Sequence, residues 1–301
     1  MTRMKVVVVL LLAAALAAGA WWWNSGGDEG ERRLRVAGKS YTEALLTSEI
    51  LAQLLENSGF TVERIFDMSS AVCFQAVRGG DADLYPEYTG SMLSAYLGIE
   101  IPPGTSAEET FRMAKEGAER EFNLIVFPSM GFNNTYANAI RREFAEEHGI
   151  VTNSDLAPFS SQLVYGAEHA FFDRLDGFYN MSEMYGYEFM RYVRIDVGLK
   201  QISMNQREID VTNIYTTDGW LEGSGLTVLE DDLNFFPAYD LCPVVRRDVL
   251  ERYPELNALL SSLANTATEG DMVRYNNLVD SGRMNVAEAA AQFLNERNLL
   301  R

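Results

Sequence analysis

Tyrosine occurs twice in one context along this chain. In YPEYTGS, residues 85–91, and in NIYTTDG, residues 213–219, a tyrosine (Tyr88, Tyr215) stands five residues after an aspartate (Asp83, Asp210) that begins a short apolar run, and a threonine (Thr89, Thr216) follows. A phenol ring presents a negatively polarised face, so tyrosines on two walls of a cleft suit a small cation. Acid–base catalysis is a poorer reading. Glu87 and Asp218 flank the two tyrosines, but no nucleophile with an accompanying base stands near them. His148 and His169 are isolated, and Cys73 and Cys242 belong to no C-x-x-C and no mixed His/Cys pattern, so a metal site is not expected. The two cysteines read as buried free thiols in preference to a disulfide. There is no G-x-x-x-x-G-K-[ST] loop and no G-x-S-x-G elbow, so neither ATP hydrolysis, a bound cofactor nor esterase chemistry is expected of the chain.

The elements that position the tyrosines follow from periodicity and punctuation. Leu34 to Ala37 reads as a strand. Ser40 and Glu43 form an S-x-x-E capping box that opens a helix through Leu55. Thr61 to Phe66 alternates as a strand, Ser70 to Val77 is helical up to Gly79-Gly80, and Leu84 to Tyr88 is the next strand. Strand, helix, strand, helix, strand is the signature of a mostly parallel sheet. A long amphipathic helix from Ser106 to Phe122 leads into Leu124–Phe127, and Asn134–Ile140 is extended. A second series then starts, with strands at Leu163–Gly166 and Tyr192–Ile195, a helix over Leu199–Gln206 and the strand ending at Tyr215. After Leu229 the stretch EDDLNFFPAYDLCPVV returns with an extended run, and helices from Arg247, including Asn285–Asn298, complete the chain.

This pattern predicts an α/β protein of two lobes with a ligand cleft between them, because ligands of open α/β sheets gather beyond the carboxyl ends of strands. The first lobe is expected to be discontinuous, residues 32–132 and 238–301, with the second at 133–237. The crossings near 128–136 and 231–240 would form a hinge.

Net charge is -18 over 301 residues, with 47% hydrophobic content. Such acidity disfavours a nucleic-acid partner. Residues 1–20 have the anatomy of a secretory signal: Arg3 and Lys5, an apolar run from Val6 to Ala18, then Ala18-Gly19-Ala20. Trp21, Trp22 and Trp23 follow at once, so an uncleaved anchor is the alternative. Residues 21–31 read as a linker, and the expected location is periplasmic or otherwise extracytoplasmic.

The segments GKSYTEALLTSEILAQLLE, VCFQAVRGGDADLYPEYTGS, IYTTDG and LEDDLNFFPAYDLCPVV, in this order, resemble the osmoprotectant-binding proteins of ABC importers, which take up glycine betaine, choline, carnitine and related quaternary amines. The resemblance runs from about Leu34 to the C-terminus. It implies a two-lobed periplasmic-binding-protein fold of the type II kind, a monomer, and delivery of ligand to a membrane permease driven by a cytoplasmic ATPase. It also implies a box of tyrosines for the quaternary ammonium, matched here by Tyr88, Tyr136, Tyr215 and Tyr239. A trimethylammonium head has no proton to donate, so ring faces must hold it. Lys39, Ser91 and Arg174 fall where the resemblance puts the carboxylate of a betaine, and Asn134 stands where some members have aspartate. Two cations favour glycine betaine or proline betaine over choline, whose own charge they would repel. A choline or carnitine receptor and a membrane-anchored ligand sensor remain as alternatives, with an exported choline-ester or betaine-ester enzyme disfavoured.

Overall fold

The computed structural model describes residues 32–221 and 223–300, so the signal or anchor and the linker expected at 1–31 lie outside the described residues. Ten strands form two sheets among these residues. They are β1 (Arg33–Lys39), β2 (Thr61–Met68), β3 (Leu84–Tyr88), β4 (Leu124–Val126), β5 (Tyr136–Arg141), β6 (Val164–Ala167), β7 (Arg191–Arg194), β8 (Val211–Tyr215), β9 (Leu226–Val228) and β10 (Leu241–Arg246). The first sheet has the order β2-β1-β3-β10-β4 and the second β7-β6-β8-β5-β9. In each, three strands run parallel and one antiparallel strand, β10 or β5, follows them across the sheet.

The longer helices are α1 (Thr42–Asn57), α2 (Ser70–Gly79), α3 (Ala107–Phe122), α4 (Glu269–Asp280) and α5 (Val286–Glu296). Their limits are set by local chemistry. Ser106 accepts from the Glu109 N–H to start α3, and Asn123 ends it in the left-handed region at φ 55°. Asn285 and Glu288 make a reciprocal capping box at the head of α5. Helix α5 packs along α1, which lies on the first sheet, so the C-terminal helices close the core around Leu34, Val36, Leu46, Ile50 and Phe293. A separate apolar cluster of Ala139, Val164, Met204, Ile209 and Ile214 belongs to the second sheet. No helix among the described residues is long and apolar enough to cross a membrane.

Two features run against ordinary strand rules. Pro86 of β3 lies directly opposite Pro243 of β10 in the antiparallel ladder. Neither can donate, so the two occupy a pair that exchanges no hydrogen bonds, and the β3–β10 ladder loses nothing to them. The second is a correction at the head of α1. The expected capping box of Ser40 and Glu43 is not formed: the helix begins after Tyr41, which makes no side-chain cap, and the Glu43 carboxylate is turned inward.

Candidate functional site

Each sheet places the same chemistry at the same point. Asp83 at the foot of β3 accepts the Arg35 N–H of β1 at 2.8 Å and pairs with the Arg35 side chain. Asp210 at the foot of β8 accepts the Val164 N–H of β6 at 2.9 Å and pairs with Arg141. These aspartates lock the central strands together, and five residues later each strand delivers its tyrosine to the facing edge. Antiparallel pairing then sets Tyr136 of β5 opposite Tyr215, and Leu241, which opens β10 just after Tyr239, opposite Tyr88.

Tyr88, Tyr136, Tyr215, Tyr239, Lys39, Ser91, Asn134 and Arg174 all line one cleft of about 430 Å³. Its size is at the lower end of small-molecule sites. Tyr136 lies 5.1 Å from Tyr215 and 5.4 Å from Tyr239, ring centre to ring centre, the latter edge to face. Across the cleft, elements of both sheets touch: Arg174 donates to Ser94 at 2.8 Å and to Ser91 at 3.3 Å, and Ser94 donates to Asp176 at 2.7 Å. On the far side of the tyrosines, the Asn276 and Asn277 side chains of α4 donate to the carbonyls of Thr217 and Gly219. Gly219 is required there, since a Cβ would come within 2.3 Å of the Asn277 nitrogen.

The two cations are not the free charges that the sequence suggested. Lys39 is ion-paired with Glu87 at 2.5 Å, both side chains being buried, and Arg174 makes a two-pronged pair with Asp176 at 2.6 and 2.7 Å. Glu87, which the sequence offered only as a neighbour of Tyr88, therefore supports the site through Lys39. The protein's own cations also sit over the rings: Lys39 is 5.3 Å from the centre of Tyr88, and Arg174 is 5.5 Å from Tyr136 and 5.7 Å from Tyr239. Lys39 and Arg174 consequently offer directed N–H groups with little net positive field. Repulsion of a bare ammonium by two uncompensated cations is not a property of this cleft.

Asn134 has a carboxylate partner of its own. Its side-chain amide donates to Glu43 at 2.7 Å, so an aspartate at this position would set two carboxylates against each other. Glu43 itself is buried, accepts from the Tyr88 hydroxyl at 2.5 Å and from Asn276 at 3.0 Å, and has no basic partner among the described residues. Burial pushes its carboxyl above the ordinary value despite these donors. Behind Tyr215 lies a second buried ion pair, Lys200 with Glu168 at 3.0 Å, with Lys200 5.2 Å from the ring centre. Burial alone would raise Glu168, but Lys200 and Asn213 outweigh it and hold the carboxyl below its usual value.

Sequence reasoning passed over Tyr41, Glu43, Glu168, Asp176 and Lys200. Tyr41 stacks on Tyr215 at 5.5 Å and lines the cleft. Asp176 follows Arg174 by two residues in FFDRLDG, a spacing that could have signalled a local pair. Glu168 follows β6 as Lys39 closes β1, a correspondence visible only once the strands are aligned. Cys73 and Cys242 are both buried and free.

Two five-stranded α/β sheets facing one another across a polar, tyrosine-lined cleft define a two-lobed substrate-binding protein of the periplasmic kind. The family model describing the substrate-binding domain of ABC-type glycine betaine transport systems matches residues 32–296, and the chain belongs to that family. It is thus the substrate-binding component of an ABC-type importer and not an enzyme. A glycine-betaine-binding protein of Pseudomonas aeruginosa is 35% identical over 279 residues, covering 89% of this chain and 88% of the relative. An ergothioneine transport permease/ergothioneine binding protein of Helicobacter pylori is 34% identical over 271 residues, 89% of this chain and 48% of the relative. This chain therefore spans about half the length of the Helicobacter protein. A crystal structure of a glycine betaine/carnitine/choline ABC transporter superposes with a TM-score of 0.72 at 27% identity, covering 89% of this chain and 100% of that one.

Proposed function

We propose that this protein is an extracytoplasmic receptor that captures a carboxylate-bearing quaternary ammonium osmoprotectant, glycine betaine or proline betaine, and hands it to a membrane permease. Tyr88, Tyr136, Tyr215 and Tyr239 would surround the ammonium head, while Lys39, Ser91 and Arg174 would direct N–H and O–H groups to the carboxylate. Asn134 would hold the wall between them through Glu43. In this reading residues 32–132 and 238–301 form one lobe, 133–237 the other, and ligand binding draws them together. The observation that carries it is the convergence of four tyrosines and two paired cations in one cleft. Four desolvated cation–π contacts at roughly 0.5 to 2 kcal/mol each could supply much of the ~8 kcal/mol of a micromolar complex.

Discrimination against choline must rest on hydrogen bonding, because Glu87 and Asp176 already balance the two cations. A lost charge-assisted hydrogen bond is worth about 1.5–3 kcal/mol, enough for roughly tenfold weaker binding. A bulkier aromatic betaine, ergothioneine, is the second reading, favoured by the Helicobacter relative and by the ring-lined walls. Calorimetric titration with glycine betaine, proline betaine, carnitine, ergothioneine and choline tests both. At least one betaine is expected to bind in the micromolar range and choline about tenfold more weakly. Choline binding as tightly as every betaine would sink the carboxylate assignment, and no binding by any of the five would sink the receptor reading.

A further inference from the structure

Of the four tyrosines singled out from the sequence, three point their hydroxyls at buried carboxylates. Tyr88 donates to Glu43 at 2.5 Å, Tyr215 to Glu168 at 3.3 Å, and Tyr239 to Asp176. The carboxylates come from unconnected places, the first turn of α1, the residue after β6 and the loop carrying Arg174. All three are buried. Tyr136 is the exception, its ring lying 5.1 Å from that of Tyr215 and its hydroxyl donating to none of these carboxylates.

A phenol that donates to a carboxylate gains electron density on its oxygen and ring, and in a low-dielectric interior the hydrogen bond and the charge behind it are both strengthened. Each ring face then attracts a cation more strongly than an unassisted tyrosine would. Burial, and after it the adjacent carboxylate, pushes the hydroxyls of Tyr88, Tyr215 and Tyr239 well above the ordinary phenol value, so all three stay protonated and able to donate. The backing is uneven. Glu168 is offset by Lys200 and Asp176 by Arg174, whereas Glu43 is held only by neutral donors.

We propose that Glu43, Glu168 and Asp176 are positioning residues that polarise three walls of the tyrosine cage and so set its preference for a charged ammonium over a neutral group of the same shape. This rests on the receptor reading above, and it concerns charge selectivity alone.

The probe pair is glycine betaine and 3,3-dimethylbutanoate, its carbon isostere, which keeps the carboxylate and replaces the quaternary nitrogen by carbon. Glu43→Gln is expected to weaken glycine betaine by roughly three- to tenfold, a fraction of one or two cation–π contacts, and to leave the isostere within about twofold in a competition assay. A second series needs no change to a buried acid and reads glycine betaine alone. Phenylalanine at 88, 215 or 239 should weaken binding by roughly threefold or more, and phenylalanine at 136 by about twofold or less. Equal losses for both probes in Glu43→Gln, or equal losses at all four positions in the phenylalanine series, overturn the proposal and leave the cage as plain packing. Should the unmodified protein bind no quaternary ammonium compound, the receptor reading falls and takes this inference with it. A protein that binds glycine betaine but shows no such discrimination overturns the carboxylate backing alone.

Discussion

The two lobes share a strand order and an aspartate lock, yet β1 and β6, which hold the same place in their sheets, lead to opposite charges. In the first lobe β1 closes on Lys39, with Glu87 of β3 as its partner; in the second, β6 is followed by Glu168, with Lys200 brought in from a helix. Both pairs are buried beside the tyrosine that ends the third strand. Lys39 lines the cleft, however, and Lys200 is shielded behind Tyr215. What is the same in the two lobes, Asp83 with Asp210 and Tyr88 with Tyr215, builds the edge; what is inverted puts a lysine on the cleft wall in one lobe and behind the wall in the other.

The sharpest way to break this comparison is to remove each lysine in turn. Lys200→Met should leave Glu168 as an unpaired buried charge and cost about 3–5 kcal/mol of stability. Lys39→Met leaves Glu87, which is just as buried, unpaired in the same way, so a similar stability loss of about 3–5 kcal/mol is expected, but here betaine binding should be lost as well. Urea unfolding with calorimetry on both variants decides it. Equal stability losses with equal effects on binding would mean that the two pairs play one role and the inversion is without consequence.

A smaller effect sharpens the comparison three residues past each tyrosine, where the first lobe has Ser91 and the second Asp218. Asp218 accepts the Tyr215 N–H at 3.0 Å, and burial, against the pull of Lys200, raises its carboxyl from 3.8 to about 6. The folded state therefore holds this proton more tightly than the unfolded chain. Its stabilising contribution is complete below pH 3.8 and is lost as pH rises through about 6. Asp218→Asn keeps an acceptor for Tyr215 and removes the ionisation, so it should stabilise the protein by about 2–3 kcal/mol at pH 8 and by little at pH 4. Thermal unfolding of both forms across that range is the measurement. A variant that is no more stable at pH 8 would show that Asp218 is charged at no cost in the folded protein.

Most of the fold was legible because its elements obey local rules. The strand ending at Tyr88 is buried on both faces, with Glu87 its one charged residue, α3 carries its own caps, and Asn285 with Glu288 marked the start of α5. The short helices at Arg142–His148 and Phe178–Tyr185 and the strand Leu226–Val228 were not legible, being too brief to show a period. At the site, the eight residues singled out from the sequence do share one cleft. Their supporting carboxylates were hidden for a physical reason. Glu43 fits a helix cap by spacing, and only the approach of Tyr88, Asn134 and Asn276, distant in sequence, gives it a better set of donors. A local rule failed where tertiary chemistry had a competing use for the residue.

The antiparallel return of β10 has a consequence for how the molecule is made. Strands β5 to β9 are consecutive, so the second sheet needs no distant partner, whereas β3 must wait for β10 with the whole of the second sheet intervening in the chain. Pairings across so long a loop form late, and an edge left waiting is exposed to wrong partners meanwhile. In refolding, pulse-labelled amides of β6 and β8 should gain protection before those of β3, and simultaneous protection would refute this order. Tyr88 and Tyr239 would then be the last of the four tyrosines to find their places, so a nascent chain has one wall of the cleft before it has the other.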